Sequence, residues 1–346
     1  MNIITENTTK IKASIGKISK KLEVFYNPVM KLNRDVSILL LNSIPNKDMQ
    51  IGLPLSGSGI RGIRFLKELK KGKIKSISFN DYDKKSIKAI KKNLKLNDIG
   101  SKFNIENKDA NIFMLESKGF DYIDIDPFGT PNPFLDNSIV RLARDGILSV
   151  TATDTAALAG SSANACIRKY WAKPLRNEFM HETAVRILIR KIQLIGAQNE
   201  KALIPIFSYY SDHYYKIFFR CDKGKLKVDK VLKNHSLMKY KNNEYGPIWI
   251  GKLWDEKLVN NMFKKCDETN KKMYSLLKII TEEAKITTIG SYDLHEISRK
   301  IKKNPRIDDV IKKLKNKGFI ASRTHFNLHS VKSNINYDEL ILLLKN

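Results

Sequence analysis

The fold is indicated most directly by residues 51–69, Ile-Gly-Leu-Pro-Leu-Ser-Gly-Ser-Gly-Ile-Arg-Gly-Ile-Arg-Phe-Leu-Lys-Glu-Leu. Ile51–Leu55 is an apolar run typical of a buried strand, and the apolar residues from Gly59 onward have helical spacing. Gly57, Gly59 and Gly62 permit a tight turn between the two and bring the backbone close to a ligand at the helix N-terminus. The unit is typical of nucleotide-binding α/β folds, although a dinucleotide fold or a purely structural turn has the same pattern.

The alternation of strand and helix continues beyond this unit. Apolar runs predict strands, and segments of helical spacing lie between them. The predicted strands are Ile74–Asn80, Phe103–Glu106, Tyr122–Ile125 and Gly146–Thr153, and the predicted helices are residues 84–96, 111–115 and 133–143. A further amphipathic helix is predicted from Asn33 to Leu41. Such an order is typical of an α/β protein with a parallel, doubly wound sheet.

The second half of the chain has a different pattern. A helix over about 177–195 and strands at 202–210 and 214–220 precede a segment, 221–244, in which lysine, asparagine and aspartate dominate. We predict this segment to be a linker or a domain boundary. Three helices and a hairpin follow, with predicted bounds 274–284, 292–300, 306–316, 319–324 and 327–331. This set is typical of a winged helix and equally of a plain helical packing domain. We therefore expect a catalytic domain over 1–220 and a smaller α+β domain over 221–346 that positions a nucleic acid.

The charge of the chain points to a polyanionic partner. There are 63 Lys+Arg against 36 Asp+Glu, a formal net charge of +27. Residues 221–346 hold 27 Lys+Arg and 15 Asp+Glu, which gives +12 and leaves +15 for residues 1–220, so both halves are basic. Phosphate neutralisation with release of counterions is the natural use of such an excess. A proteome rich in lysine, asparagine and isoleucine would produce the same composition without any such partner.

The cysteines and apolar runs bear on compartment and metal. None of Cys166, Cys221 and Cys266 stands in a C-x-x-C pair, so neither a disulfide framework nor a cysteine-rich zinc site is indicated. The lysine-rich N-terminus has no apolar signal core, and no apolar run approaches the roughly 20 residues that cross a bilayer. We therefore expect a cytoplasmic protein that does not contact membranes.

Acidic residues follow the second and third predicted strands. Asp81 and Asp83 stand about 20 residues beyond the glycine loop, where a carboxylate can accept the ribose hydroxyls of a nucleoside cofactor. Asp109 follows the third strand, where it can meet an adenine amino group, and Ala110 leaves room for the ring. Each aspartate taken singly is also a common helix cap or turn residue. Their succession at strand ends nevertheless favours one adenosyl ligand.

The fourth strand ends in Asp124-Ile-Asp126-Pro127-Phe128-Gly129-Thr-Pro131. This stretch resembles the D/N-P-P-Y/F motif of class I methyltransferases that act on exocyclic amines of nucleobases. An aryl amine is a poor nucleophile, and Asp126 together with a carbonyl fixed by Pro127 can accept its N–H groups and orient its lone pair. Phe128 offers a face on which an extruded base stacks. The alternative is an ordinary Asp-Pro turn with a core phenylalanine.

Several stretches together resemble one family, the tRNA guanine-26 N2-dimethyltransferases of archaea and eukaryotes. The resemblance covers most of the chain. It rests on Phe25-Tyr-Asn-Pro28 with Asn33-Arg34-Asp35, Leu55–Arg64, Asp126–Pro131, Thr151-Ala-Thr-Asp154, Gly246-Pro-Ile-Trp-Ile-Gly251 and Ala321-Ser-Arg-Thr-His-Phe-Asn327. The last two stretches have little to do with methyltransferases in general, and they give the resemblance its specificity.

The resemblance implies a role for each matching residue. Asp126 is expected to be the catalytic carboxylate, and Phe128 and Phe25 are expected to sandwich the guanine. S-adenosylmethionine is the implied cofactor, and the residues expected to bind it are Arg34, Gly57, Gly59, Arg61, Arg64, Asp81, Asp109 and Ala110. Many family members carry paired cysteines in the C-terminal domain that look like a zinc site. This chain lacks them after Cys221, so we expect no metal and a lysine-rich loop in that place.

Together with the resemblance, these features predict a class I S-adenosylmethionine-dependent methyltransferase with a Rossmann-like sheet and a smaller C-terminal domain. The predicted enzyme methylates N2 of a guanine in tRNA. We expect a monomer, with tRNA and no other protein as partner. Two alternatives remain at this stage: another nucleobase N-methyltransferase acting on rRNA or DNA, and a non-catalytic RNA-binding protein with a methyltransferase fold. A dehydrogenase is disfavoured because Asp-Pro-Phe-Gly has no evident role in hydride transfer.

Overall fold

The N-terminal part contains the predicted strand–loop–helix unit. A computed structural model describes residues 2–13, 26–241 and 243–345. A hairpin of β1 (Asn2–Glu6) and β2 (Thr9–Ala13) comes first, followed by a short 3-10 helix at Pro28–Met30 and then α1 (Lys31–Ser43). The quoted unit folds into β3 (Met49–Leu53) and α2 (Ile60–Glu68), with the glycine loop between them. The prediction for residues 51–69 is confirmed to within a few residues at each end.

The strand–helix alternation is also confirmed. β4 (Ile74–Asn80), α3 (Lys84–Leu96) and β5 (Phe103–Glu106) have the predicted bounds. The elements that follow are α4 (Ala110–Glu116), β6 (Phe120–Ile125), α5 (Asn132–Arg141), β7 (Leu142–Ala152), α6 (Thr155–Leu158), α7 (Ala163–Tyr170), α8 (Met180–Gln198), β8 (Lys201–Ser211) and β9 (Tyr214–Lys223). β7 starts before the predicted Gly146, because α5 ends at Arg141 and the chain extends at once.

The strands form one sheet whose order explains where a ligand can bind. Seven strands lie in the order β5-β4-β3-β6-β7-β9-β8, and the pairs β5–β4, β4–β3, β3–β6 and β6–β7 are parallel. The chain runs outward from β3 to β5 and then returns to the other side of β3 with β6. This change of direction is a topological switch point, and ligands of doubly wound sheets bind beside it at the carboxyl ends of the strands. The loops after β3 and β6 meet there.

Gly62 sets the distance between α2 and the sheet. A Cβ atom built at this position would lie 2.2 Å from the ring of Phe79 on β4 and 2.7 Å from Leu53 on β3. The fully buried Phe79 cannot move aside without opening the core, so the helix packs closely only with glycine here. The third glycine of the loop therefore serves helix–sheet packing, and a ligand role for Gly57 and Gly59 stays a prediction.

The described chain divides into two compact units, and neither is continuous in sequence. The first comprises residues up to Ala152, 195–204 and 218–228, and the second comprises 153–194, 205–217 and residues from 229 onward. Residue 220, after which the boundary was predicted, lies inside β9. The two units divide within strands, since β8 and β9 each begin in one unit and end in the other. The assignment of separate catalytic and tRNA-positioning roles to residues 1–220 and 221–346 stays a prediction.

The lysine-rich segment 221–244 is not the linker that we predicted. It contributes α9 (Lys225–Leu232), β10 (His235–Tyr240) and the start of β11 (Asn243–Trp249), and β10 pairs antiparallel with β11. Val228 and Val231 are buried between exposed lysines. The many lysines give this segment the composition of a linker, although its few apolar residues are enough to hold it in an ordered structure.

The C-terminal part has the order of elements of a winged helix. Its elements are α10 (Glu256–Lys265), α11 (Lys271–Glu283), β12 (Tyr292–Asp293), α12 (Leu294–Ile301), α13 (Ile307–Asn316), β13 (Ala321–Arg323), β14 (Ser330–Ser333) and α14 (Tyr337–Lys345). The three strands form an antiparallel sheet in the order β12-β14-β13. Leu294, Ile297, Val310, Leu314 and Val331 lie in one apolar cluster between this sheet and its helices. Of the two predicted alternatives, the structure has the winged-helix order.

A buried ionic cluster joins α8 to this sheet within the second unit. The Lys332 ammonium on β14 lies 2.8 Å from the carboxylate of Glu182, and the Arg186 guanidinium lies 2.9 Å from it. Lys332 also reaches Glu283, which accepts hydrogen bonds from Thr324 and contacts the His325 ring. Burial alone would raise the pKa of Glu182, but the charges of Lys332 and Arg186 outweigh it and lower that pKa to about 2.

We predict that Glu182→Gln destabilises the protein at neutral pH and weakens its acid sensitivity. The lowered pKa means that Glu182 contributes stability above its unfolded pKa of 4.5, and that this contribution is lost as the pH falls toward about 2. Breaking a buried ion pair costs about 3–5 kcal/mol in the free energy of unfolding. Urea unfolding at pH 7 and at pH 3 should show a large difference between variant and wild type at pH 7 and a smaller one at pH 3.

Glu256→Gln is the matched control, since Glu256 pairs with Lys252 while 41% of its side chain stays exposed. It should change the unfolding free energy by less than about 1 kcal/mol at both pH values. An equal loss in both variants, or a Glu182→Gln deficit that does not depend on pH, would contradict the role assigned to the buried cluster.

Candidate active site

Asn80 fastens together the loops that follow three neighbouring strands. This last residue of β4 is fully buried. Its Nδ2 donates to the carbonyls of Pro54, after β3, and Lys108, after β5, both at 3.0 Å, and its Oδ1 accepts from the Lys108 N–H. The loops that would hold a cofactor are therefore tied to one amide. Asn80 was not predicted from the sequence, although a polar residue at the end of an apolar strand, directly before Asp81, indicates a role at the strand end.

Asp81 lies directly against the glycine loop. Gly57, in a left-handed conformation with φ 53°, donates its N–H to Oδ2 of Asp81 at 2.8 Å, and the Asp83 N–H donates to Oδ1 at 3.0 Å. Burial and the charge of Asp83 raise the pKa of Asp81 against these hydrogen bonds. Across the described part of the chain, no basic side chain forms an ion pair with Asp81. Each carboxylate oxygen of Asp81 can accept a further hydrogen bond, which suits the hydroxyls of a ribose.

The third strand end supplies a cap and a small residue. Oδ1 of Asp109 accepts the N–H of Asn111 at 2.8 Å and caps α4, while Ala110 behind it is buried. Helix capping is the alternative role that the sequence left open for Asp109, and it uses one oxygen of the carboxylate. The adenine-binding role of Asp109 and Ala110 stays a prediction.

Asp126 follows β6 and is held by Arg61 of α2. The guanidinium of Arg61 forms an ion pair and a hydrogen bond with Oδ2 of Asp126, and a fifth of the Asp126 side chain is exposed. The same guanidinium lies 3.4 Å from Oδ2 of Asp124 and donates to the Ser37 hydroxyl at 3.2 Å. The Arg61 side chain is 11% exposed. Burial alone would lower its pKa, but the charges of Asp124 and Asp126 raise it above its ordinary value. Two carboxylates thus share one permanent cation.

Asp124 has its own support behind the site. Its Oδ2 accepts hydrogen bonds from the Tyr122 hydroxyl and from the Ser149 hydroxyl, the latter at 3.0 Å. Burial and the charge of Asp124 raise the pKa of Tyr122 well above its ordinary value, so the phenol remains a donor. Asp124 was quoted in the sequence motif without a role, because its fully buried environment is visible only in the fold.

Phe128 and Gly129 continue the motif into solvent. Phe128 has 46% of its surface exposed, and Gly129 has a positive φ of 84°. An exposed ring next to a carboxylate matches the expected surface for stacking a base. Phe25, the predicted second ring, lies outside the described residues.

Arg34 and Arg64, both predicted to bind the cofactor, meet each other in a buried ionic cluster. Arg34 donates to both carboxylate oxygens of Glu6 on β1, with Nε at 3.0 Å. Arg64 reaches Glu6 at 3.1 Å, Asp35 at 2.7 Å and Glu68 at 2.7 Å. Each guanidinium is almost completely buried, at 4% and 1% exposed. Glu6 was not singled out from the sequence, since nothing local distinguishes it from other acidic residues.

The predicted residues thus fall into three groups. Gly57 and Asp81 are brought together, as are Arg61 and Asp126, and these two pairs flank the switch point of the sheet. Arg34 and Arg64 are occupied by Glu6. A nucleoside at Gly57 and Asp81 and a cofactor carboxylate at Arg61 stay predictions, as does the assignment of Arg34 and Arg64 to the cofactor.

The geometry and composition of the described residues bear on metal sites and membrane spans. Within residues 2–13, 26–241 and 243–345, no three His, Cys, Asp or Glu side chains are grouped so that they could hold a metal ion, and the three cysteines are buried and form no disulfide bond. No helix in the same ranges has both the length and the apolar composition needed to cross a bilayer.

Comparison with known proteins adds independent support for a family. The family model described as "TRM: N2,N2-dimethylguanosine tRNA methyltransferase" matches residues 2–243 and 233–345. The tRNA (guanine(26)-N(2)/guanine(27)-N(2))-dimethyltransferase of Aquifex aeolicus is 38% identical over 99% of this chain and 95% of its own. The tRNA (guanine(26)-N(2))-dimethyltransferase of Methanococcus maripaludis strain C7 is 36% identical over 99% and 98%.

A solved structure agrees with the fold. Trm1 from Pyrococcus horikoshii, determined in complex with S-adenosyl-L-methionine, is 33% identical, and the match covers 99% of each chain with a TM-score of 0.89. The large sheet is therefore that of a class I S-adenosylmethionine-dependent methyltransferase, joined to a C-terminal domain. With matches of this length and identity, the chain belongs to the N2,N2-dimethylguanosine tRNA methyltransferase family.

Proposed function

We propose that this chain transfers methyl groups from S-adenosylmethionine to the exocyclic N2 of guanine 26 in tRNA and produces N2,N2-dimethylguanosine. The observation that carries the proposal is the position of Asp126-Pro127-Phe128 at the carboxyl end of β6, with Asp126 held by Arg61. This is where a nucleobase amine can meet both a carboxylate and a stacking ring. The names of full-length relatives from Aquifex and Methanococcus agree with the same reaction.

The chemistry required of the chain is modest. S-adenosylmethionine, when bound, supplies a methyl group already activated by its positive sulfur. The Asp126 carboxylate accepts one N–H of the amine, and the rigid Asp126–Pro127 backbone presents a carbonyl to the other, which orients the nitrogen lone pair. The N–C bond forms as the S–C bond breaks, and the surplus proton of the nitrogen passes to Asp126 directly or through water. Phe128 stacks on the guanine and keeps it in the plane of these acceptors.

A second methylation uses the same groups. After the first transfer the nitrogen still carries one hydrogen, which has to face Asp126 while the new methyl group turns away. The monomethylated amine therefore has to rotate about its bond to the base, and the half-exposed ring of Phe128 leaves room for this movement. Dimethylation is supported by the family description and the relatives' names, and the residues by themselves give no count of methyl groups.

Other features support the substrate class. The winged-helix order of residues 271–333 is common in domains that bind nucleic acid, and the net charge of +27 suits a phosphate backbone. We propose that the C-terminal part positions the tRNA. A monomer acting in the cytoplasm is also part of the proposal.

The first test is methyl transfer from labelled S-adenosylmethionine to unmodified tRNA, with nucleoside analysis of the product. Separate transcripts should carry guanine only at position 26, only at position 27, or at both, because the relative from Aquifex is named for both positions. N2,N2-dimethylguanosine at position 26 is expected. Label on adenosine or only on rRNA would contradict the proposed substrate, and tight tRNA binding without any transfer would favour the non-catalytic alternative.

We predict that Asp126→Asn lowers kcat by about 10²- to 10⁴-fold, because the variant keeps the shape of the side chain but loses the proton acceptor. Binding of S-adenosylmethionine and of tRNA, measured by calorimetry and filter binding, should stay within a few-fold of wild type. An Asp126→Asn enzyme with normal kcat, or one whose only defect is cofactor affinity, would remove Asp126 from the catalytic role.

Asp124 is predicted to be a positioning residue that acts through Arg61. Asp124→Asn weakens the hold on the guanidinium, and about a tenfold loss of kcat is expected, corresponding to about 1.4 kcal/mol. The decisive readout is a double-mutant cycle, since residues that act as one unit are not additive. In the Asp126→Asn background, Asp124→Asn should have almost no further effect on kcat. Additive losses in the double variant would show that Asp124 acts independently of Asp126.

A further inference from the structure

Trp171 is a large aromatic residue in a backbone conformation that suits glycine. It ends α7 with φ 56° and ψ 38°, the left-handed region, and its N–H is bonded to the carbonyl of Ile167. Bulky residues are disfavoured there. Nearly half of its surface, 49%, is exposed, whereas Trp249 and Trp254 are buried at 6% and 5%. The exposed tryptophan of the three is thus the one held at an energetic cost.

A buried cation lies beneath the ring. Nζ of Lys191, on α8, is 2.8 Å from the centroid of the Trp171 ring, and Lys191 is only 5% exposed. Burial and the neighbouring charge of Arg190 lower the pKa of Lys191 to about 8. In the parts of the chain that the structure describes, no carboxylate forms an ion pair with this ammonium. One face of the ring therefore rests on a positive charge that nothing nearby neutralises.

Arg190 adds a second cation at the same place. Its guanidinium donates to the carbonyl of Trp171 at 3.2 Å, which fixes the end of α7. Burial lowers the pKa of Arg190, and no carboxylate within the described ranges pairs with it. Arg168 on α7 is exposed nearby in sequence, whereas Lys169 is offset by Asp154 at 3.4 Å. The local charge is consequently positive around a ring that is about half exposed.

We infer that Trp171, Arg190 and Lys191 form a contact surface for the tRNA substrate, on which an unpaired base stacks on the indole and the cations attract the adjoining phosphates. The inference deepens the proposed function and rests on tRNA being the substrate. RNA offers a flat base and a phosphate within one nucleotide, and base stacking on aromatic side chains together with arginine contacts is a recurring mode of single-strand recognition. An acidic protein segment would satisfy the cations but would leave the indole face without a matching partner.

The test measures affinity for unmodified tRNA in the absence of cofactor, by filter binding over a series of salt concentrations. Trp171→Gly removes the ring and fits the left-handed backbone, and it should weaken binding by about 5- to 100-fold. Trp171→Phe keeps a ring and should stay within about threefold of wild type. Arg190→Gln removes one charge and should reduce the slope of log Kd against log salt by about 1.

Two controls separate stacking from charge and from general damage. Heparin is a polyanion without bases, so Trp171→Gly should bind it as the wild type does. Leu115→Ala removes another large apolar side chain that is 44% exposed, outside the C-terminal part and without a role in the proposed site, and it should leave tRNA affinity within about twofold of wild type. Wild-type tRNA affinity in Trp171→Gly, an equal loss for heparin, or an equal loss in Leu115→Ala would each overturn the inference.

Failure of this inference can be told apart from failure of the proposed reaction. If the wild type forms N2,N2-dimethylguanosine and Trp171→Gly shows an unchanged KM for tRNA, the reaction stands and the contact surface is rejected. If Trp171→Gly raises KM for tRNA while kcat and cofactor affinity are unchanged, both stand. If tRNA binding depends on Trp171 but no methyl group is transferred, the surface stands and the reaction is rejected.

Discussion

The guanidinium of Arg61 links the parts on which the candidate site depends. It extends from α2, directly after the glycine loop, to Asp126 and Asp124 at the end of β6, and it also donates to Ser37 on α1. The loop that would face the cofactor and the carboxylate that would face the base are therefore parts of one electrostatic unit. Because a guanidinium stays charged at every physiological pH, the cationic side of this link does not titrate.

The strand–helix order and the strand-end positions could be predicted because they depend on local patterns. The apolar runs of β4 and β5 are short, bounded by polar residues and separated by a helix, so even their ends followed from the sequence. Other residues that support the site could not be found in this way. Glu6 and Ser149 lie far in sequence from the groups they contact, and only the fold brings the carboxylate to Arg34 and the hydroxyl to Asp124.

Composition misled the sequence analysis where long polar side chains cover short apolar ones. Residues 221–244 have the content of a linker, yet Val228 and Val231 anchor α9 and the β10–β11 hairpin follows it. The β8–β9 hairpin runs across the change in composition after residue 220, because strands are joined by backbone hydrogen bonds that do not depend on which side chains are present.

The positive charge of this chain is of two physical kinds, and net charge cannot distinguish them. Arg34, Arg61 and Arg64 are matched by buried carboxylates, so their charges stabilise the fold and add little to the field outside. Arg190 and Lys191 have no such carboxylate among the described residues, and burial disfavours their charged forms. A partly buried cation without a counter-charge lowers the stability of the free protein. The protein recovers that free energy when an anion binds beside the cation. Unmatched cations, rather than the most numerous ones, are therefore where a phosphate backbone is expected to bind.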